Sequence, residues 1–113
     1  MTHEMKLQAE YFDFIKTGTK RIELRLNDEK RSIIKIGDNI EFLKEPAKEE
    51  KLSVKVIGLL RYSSFKDLFN DFDISMLSDS SMSKDELINV LQKFYTIEEQ
   101  KKHSVLGIRI ELV

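Results

Sequence analysis

Gly18-Thr19-Lys20-Arg21-Ile22-Glu23-Leu24-Arg25 is the stretch on which the fold turns, because it sets a helix stop directly against a strand start. Upstream, Ala9, Tyr11, Phe14 and Ile15 lie on one side of a short helical pattern. Gly18 stands where that helix needs a residue at positive φ to end. Downstream, Ile22, Leu24 and Leu26 alternate with Arg21, Glu23 and Arg25, which is the period of a strand with one face in a core. The other face of a strand over Lys20–Leu26 then carries a carboxylate flanked by guanidiniums, and Lys20, at the bend, can lean toward that row. The wet face of an antiparallel strand shows the same alternation.

Working outward, Glu4–Gln8 reads as a short first strand. Asn27-Asp28-Glu29-Lys30-Arg31 reads as a charged loop, and Ile33, Ile34 and Ile36 as an apolar anchor leading into a turn at Gly37-Asp38 and a strand over Asn39–Leu43. The polar run Lys44–Lys51, which holds the sole proline, Pro46, suits a hairpin connection. Leu52, Val54, Val56 and Leu59 open a long strand that can reach Tyr62, with Gly58 marking a bulge or bend. Ser64 with Asp67 predicts the start of one helix. Ser83 with Glu86 predicts a capping box for a second, stapled by Met82 and Leu87, whose stripe of Leu87, Leu91, Phe94 and Tyr95 is predicted to enter the core. Val105–Val113 predicts a final strand. Strands separated by hairpins and helical excursions, without a βαβ rhythm, give an α+β domain on a mainly antiparallel sheet.

A chain of 113 residues buries one core, so 1–113 is read as a single domain. Without cysteine it has no disulfide, thiolate chemistry or Cys-based zinc site; with no secretory segment or long apolar run, a soluble cytoplasmic protein with no membrane partner is expected. His3 and His103 can meet only if the first and last strands pair, so no metal site is expected. No glycine-rich phosphate loop or nucleophile elbow occurs, and no cofactor is expected. The net charge of −1 hides an asymmetry. Lys16, Lys20, Arg21, Arg25, Lys30, Arg31 and Lys35 face only Glu23, Asp28 and Glu29 in the first part, whereas Lys66 to Glu99 is acidic. Such a molecule attracts phosphate at one end and repels it at the other.

The pattern Gly-x-Lys-x-x-Glu-x-Arg, here Gly18, Lys20, Glu23 and Arg25, resembles the signature of the ASCH domain family, a branch of the PUA-like β-barrels. Ile36–Phe42 resembles the family's Gly-Asp turn into a strand and Val105–Ile110 its closing strand. The likeness runs from about Met5 to Leu112 and is nearest to small stand-alone bacterial and archaeal members. It implies a small, partly open, mainly antiparallel β-barrel with helices packed over it, and a cleft between barrel and helices lined by Lys20, Glu23 and Arg25. It further implies RNA, or a nucleotide or nucleoside, as the ligand. Chemically, the carboxylate can accept from an amino-bearing base edge, while Lys20 and Arg25 offer donors to a phosphate or carbonyl. Tyr62 and Tyr95, with His103, are the candidates for stacking on a base.

Two other readings accompany that one. Some related proteins are amidohydrolases that remove the acetyl group of N4-acetylcytidine with a Lys, a Thr and a distant Glu. The lysine matches Lys20; Glu23 stands in place of the threonine, and the distant Glu falls near Ser80, beside Asp79. If the chain is a hydrolase, Lys20 and Glu23 are the catalytic candidates, the lysine acting as a base once desolvated. The third reading is a protein-interaction module whose cleft holds no chemistry.

Overall fold

A computed structural model describes residues 1–78 and 81–113. Strand β1 (Thr2–Leu7) leads into helix α1 (Ala9–Lys16), then β2 (Ile22–Leu26) and the short α2 (Glu29–Ser32). The hairpin of β3 (Asn39–Lys44) and β4 (Lys51–Tyr62) follows, then α3 (Phe65–Phe69), α4 (Ile74–Leu77), α5 (Lys84–Phe94) and α6 (Ile97–His103), and finally β5 (Val105–Leu112). The five strands form one sheet in the order β1-β3-β4-β5-β2.

Three of the pairings are antiparallel, but β1 runs parallel to β3, so the sheet is mixed. Parallel neighbours need a long crossover, and the whole segment from α1 through α2 supplies it. Strand β1 starts at Thr2 rather than Glu4, and Gln8 is the N-cap of α1. Gly18 has φ +82° and ends the helix as its position predicts, and Gly37 has φ +95° in the turn before β3. At Gly58 the register of β4 against β5 slips between Val56 and Gly58, the bulge expected there. That extra residue bends the long strand, so β4 serves both the β3 hairpin and the β5 ladder.

Two apolar clusters sit on opposite sides of this curved sheet. Met5, Phe12, Ile15, Phe42, Val54 and Ile108 belong to the first, inside the barrel and plugged by α1. Ile22, Leu24, Leu26, Phe65, Leu68 and Leu77 belong to the second, between β2 and the later helices. Both capping predictions hold: Ser64 accepts from the Asp67 backbone N–H, and Ser83 and Glu86 form a reciprocal box. Three helices were not legible as such. The loop assigned to Asn27–Arg31 contains α2, capped by Asp28; α4 is capped by Asp73; and α6 starts at a second capping box, Thr96 with Glu99.

His3 does not meet His103, because β1 pairs with β3 and not β5. Its Nε2 lies 2.8 Å from Asp38 Oδ2 instead. Among the described residues no cluster of metal-ligating side chains occurs, and no helix is long and apolar enough to cross a membrane.

Candidate functional site

Strand β2 is buried on both faces, which its alternating sequence does not suggest. Ile22, Leu24 and Leu26 face the helices, while Glu23 and Arg25 stand opposite Ile108 and Leu106 of β5, residues of the barrel interior. The charged row is therefore an inner wall rather than a wet face. Helices α3 to α5 cover the side that an isolated strand would turn to the core, and the carboxylate goes into the barrel mouth.

The turn after α1 brings in Lys20. The backbone N–H groups of Thr19 and Lys20 both donate to Phe14 O at 3.0 Å, and Arg21 N donates to Met76 O at 2.8 Å, which swings the chain against α4. Lys20 is then only 3% exposed. Its Nζ donates to Ile22 O at 2.6 Å and Leu77 O at 2.5 Å, and lies 3.6 Å from Glu23 Oε1. The ammonium also stands 5.9 Å from the Tyr11 ring centroid. The expectation that Lys20 keeps donors for a ligand phosphate is thus corrected, since two backbone carbonyls and Glu23 surround it. Burial lowers its pKa to about 8, with Glu23 pulling in the opposite direction.

Glu23 is 4% exposed and holds Arg25 on its other oxygen. Arg25 Nε and Nη2 lie 2.9 and 2.8 Å from Oε2, both nitrogens gripping that one oxygen, and Nη2 also donates to Lys6 O at 2.8 Å. That last bond joins the two edge strands of the sheet, β2 and β1, across the side where the barrel is open. Burial opposes the charge of Arg25, but Glu23, aided by Tyr95, outweighs it and raises the pKa.

At this seam lies a cavity of about 440 Å³. Lys20, Glu23 and Arg25 form its charged side; Lys6, Leu7 and Gln8 from the end of β1 form one rim, and Glu45 another. Opposite stand Leu87, Val90, Leu91 and Phe94 of α5 and Tyr95 at its C-cap, with Tyr11 between. Here the sequence reading of α5 needs correcting. Of its predicted core stripe Leu87 is buried, Leu91 and Tyr95 pack partly buried against the second cluster, and Phe94 is 53% exposed. The stripe also walls the cavity.

Tyr95 stands in the cavity, its ring 5.8 Å from Phe65 and its hydroxyl interacting with Arg25. Burial chiefly raises the Tyr95 pKa, so the phenol remains a neutral donor. Tyr62 is not brought there: it packs against the second cluster and its hydroxyl donates to the Asp71 carboxylate. His103 ends α6 and does not line the cavity either. Asp79 and Ser80, where the distant carboxylate of the amidohydrolases would fall, lie outside the described residues. Sequence reasoning missed Tyr11 as a lining residue, although its place on the α1 stripe, one helix before Lys20, was a signal for it.

A search of curated proteins gave no match. Among solved structures, the crystal structure of hypothetical protein PH0355 is 43% identical, with a TM-score of 0.87 and full coverage of both chains. The solution NMR structure of protein PF0455 from Pyrococcus furiosus is 37% identical over 100% of this chain and 98% of its own, with a TM-score of 0.79. The family model described as ASCH domain matches residues 5–113, from the middle of β1 through β5. With the mixed, partly open sheet and the Lys20–Glu23–Arg25 row in place, the chain belongs to the ASCH domain family.

Proposed function

We propose that the seam cavity binds a nucleotide, free or within single-stranded RNA, with its base held between Tyr95, Phe94 and Tyr11 and an exocyclic amino group donating to Glu23 Oε1. The observation that carries this reading is the gathering of three charged side chains, Lys20 and Glu23 buried and Arg25 15% exposed, in one aromatic-walled cavity. Replacing a buried ion pair with apolar residues is often neutral or stabilising, by about 1–4 kcal/mol, so stability gives little reason to keep this row. Glu23 Oε2 is taken by Arg25, whereas Oε1 has only the 3.6 Å approach of Lys20 and keeps acceptor capacity toward the cavity. The apolar α5 wall suits the flat face of a base.

Calorimetric titration with the four ribonucleosides tests it. Adenosine, cytidine or guanosine should bind better than uridine, and Glu23→Gln should weaken that binding tenfold or more while abolishing the preference. Melting curves establish that the variant folds. Binding of none of the four, or an unchanged preference in Glu23→Gln, overturns the reading.

One observation favours a hydrolytic alternative: the amine of Lys20, lowered to about 8, beside a carboxylate. Acetate release from N4-acetylcytidine that disappears in Lys20→Met would establish that alternative.

A further inference from the structure

Beside the cavity stands a half-buried cation that forms no ion pair among the described residues. It is Arg31, on α2, and its guanidinium makes no hydrogen bond among them either. The adjacent carboxylate, Asp28, is committed to capping α2 through the Arg31 backbone N–H at 3.0 Å. The charges acting on Arg31 are those of the cavity mouth: Arg25, Tyr95 and Glu23, besides Asp28. Arg25 satisfies Glu23 and Lys6 O through Nε and Nη2 alone, so Nη1 is used for neither. Arg31 does not line the cavity but lies within electrostatic reach of Arg25 and Tyr95, which do; on the rims Lys6 and Glu45 offset each other, and Glu23 and Asp28 stand against Lys20, Arg25 and Arg31. The surplus charge is positive. Burial and then Arg25 lower the pKa of Arg31, so the protein keeps a cation where its own surroundings disfavour one, and an arriving anion would relieve that cost.

We propose that Arg31, with Arg25 Nη1 and the Tyr95 hydroxyl, forms an oxyanion subsite at the mouth of the cavity that takes a phosphate group. The inference rests on the proposed function in one respect only, that the phosphate is carried by the nucleotide whose base fills the cavity. Planar guanidiniums bind phosphate oxygens through paired donors, and the phenol adds a third donor. A nucleoside would then fill the base site and leave this subsite empty, while inorganic phosphate would do the reverse.

The test is a titration of the intact protein with the four ribonucleosides, their 3′- and 5′-monophosphates and inorganic phosphate, in wild type, Arg31→Gln and Lys30→Gln. Lys30 sits beside Arg31 on the same helix but is exposed, so it controls for net charge. Arg31→Gln should weaken monophosphate binding about tenfold or more, with nucleoside binding unchanged. Lys30→Gln should change each of these less than twofold. Equal losses in the two variants, or monophosphate affinity unchanged in Arg31→Gln, overturn the subsite while leaving the base-binding reading intact. If no nucleoside binds but inorganic phosphate does, and Arg31→Gln abolishes that, the subsite stands and the base-binding reading falls. If neither monophosphates nor inorganic phosphate bind the wild type, the subsite is wrong.

Discussion

Lys20 shows how far a single residue's chemistry depends on the turn that carries it. In sequence it is one base in a basic stretch; in the fold it is an ammonium enclosed by two carbonyls and Glu23. Its folded pKa of about 8 lies below its ordinary 10.5, so between those values the unfolded chain holds more protons and stability rises with pH. Relative to Lys20→Met, the wild type should gain stability from pH 8 to about 10.5, on the order of 3 kcal/mol in all, and show no such trend from pH 6 to 7. Chemical denaturation at a series of pH values checks this; parallel curves would mean that Lys20 titrates normally. The partners of Lys20 were only partly legible. Glu23, three residues away, could be anticipated from strand spacing, but Leu77 O comes from α4, far along the chain, and main-chain acceptors leave no mark in composition.

Helix α5 makes the corresponding point for an element. Its start was legible because a capping box is local chemistry, Ser83 and Glu86 satisfying each other's backbone donors within one turn. Its packing was not, because an apolar stripe says that a face avoids water without saying what lies opposite. Phe94 looks across a cavity, and Leu91 both lines that cavity and packs on the second cluster. The two boxes give a direct measure of the local part. Ser83→Ala and Thr96→Ala should each cost about 1 kcal/mol in thermal or urea unfolding. A loss at Ser83 should leave nucleoside binding unchanged, since Ser83 itself does not line the cavity. Strand β2 misled in the opposite sense. Alternating charge usually means solvent on one side, and only the helices covering its apolar face made the charged side the interior.

At the scale of the whole molecule, the helical cluster must approach the sheet closely, and Gly107 of β5 leaves the room for it. A Cβ there would stand 2.9 Å from Leu68 Cδ1, 3.2 Å from Ile22 Cγ2 and 3.3 Å from Leu60 Cβ. Gly107→Ala should therefore destabilise the fold by about 1–3 kcal/mol, the usual cost of overpacking, as read by equilibrium unfolding; a neutral result would show that α3 can withdraw freely from the sheet. The strand order has a further consequence, for the time at which the site comes into being. β2 has no strand partner except β5, the last element of the chain, and the seam that Arg25 closes needs β2 already seated. Closing so long a loop is a late and entropically costly event. During synthesis Lys20, Glu23 and Arg25 leave the ribosome early, yet stay hydrated until β5 has followed them out. A partly made chain can therefore form the β1-β3-β4 platform while the seam cavity does not yet exist.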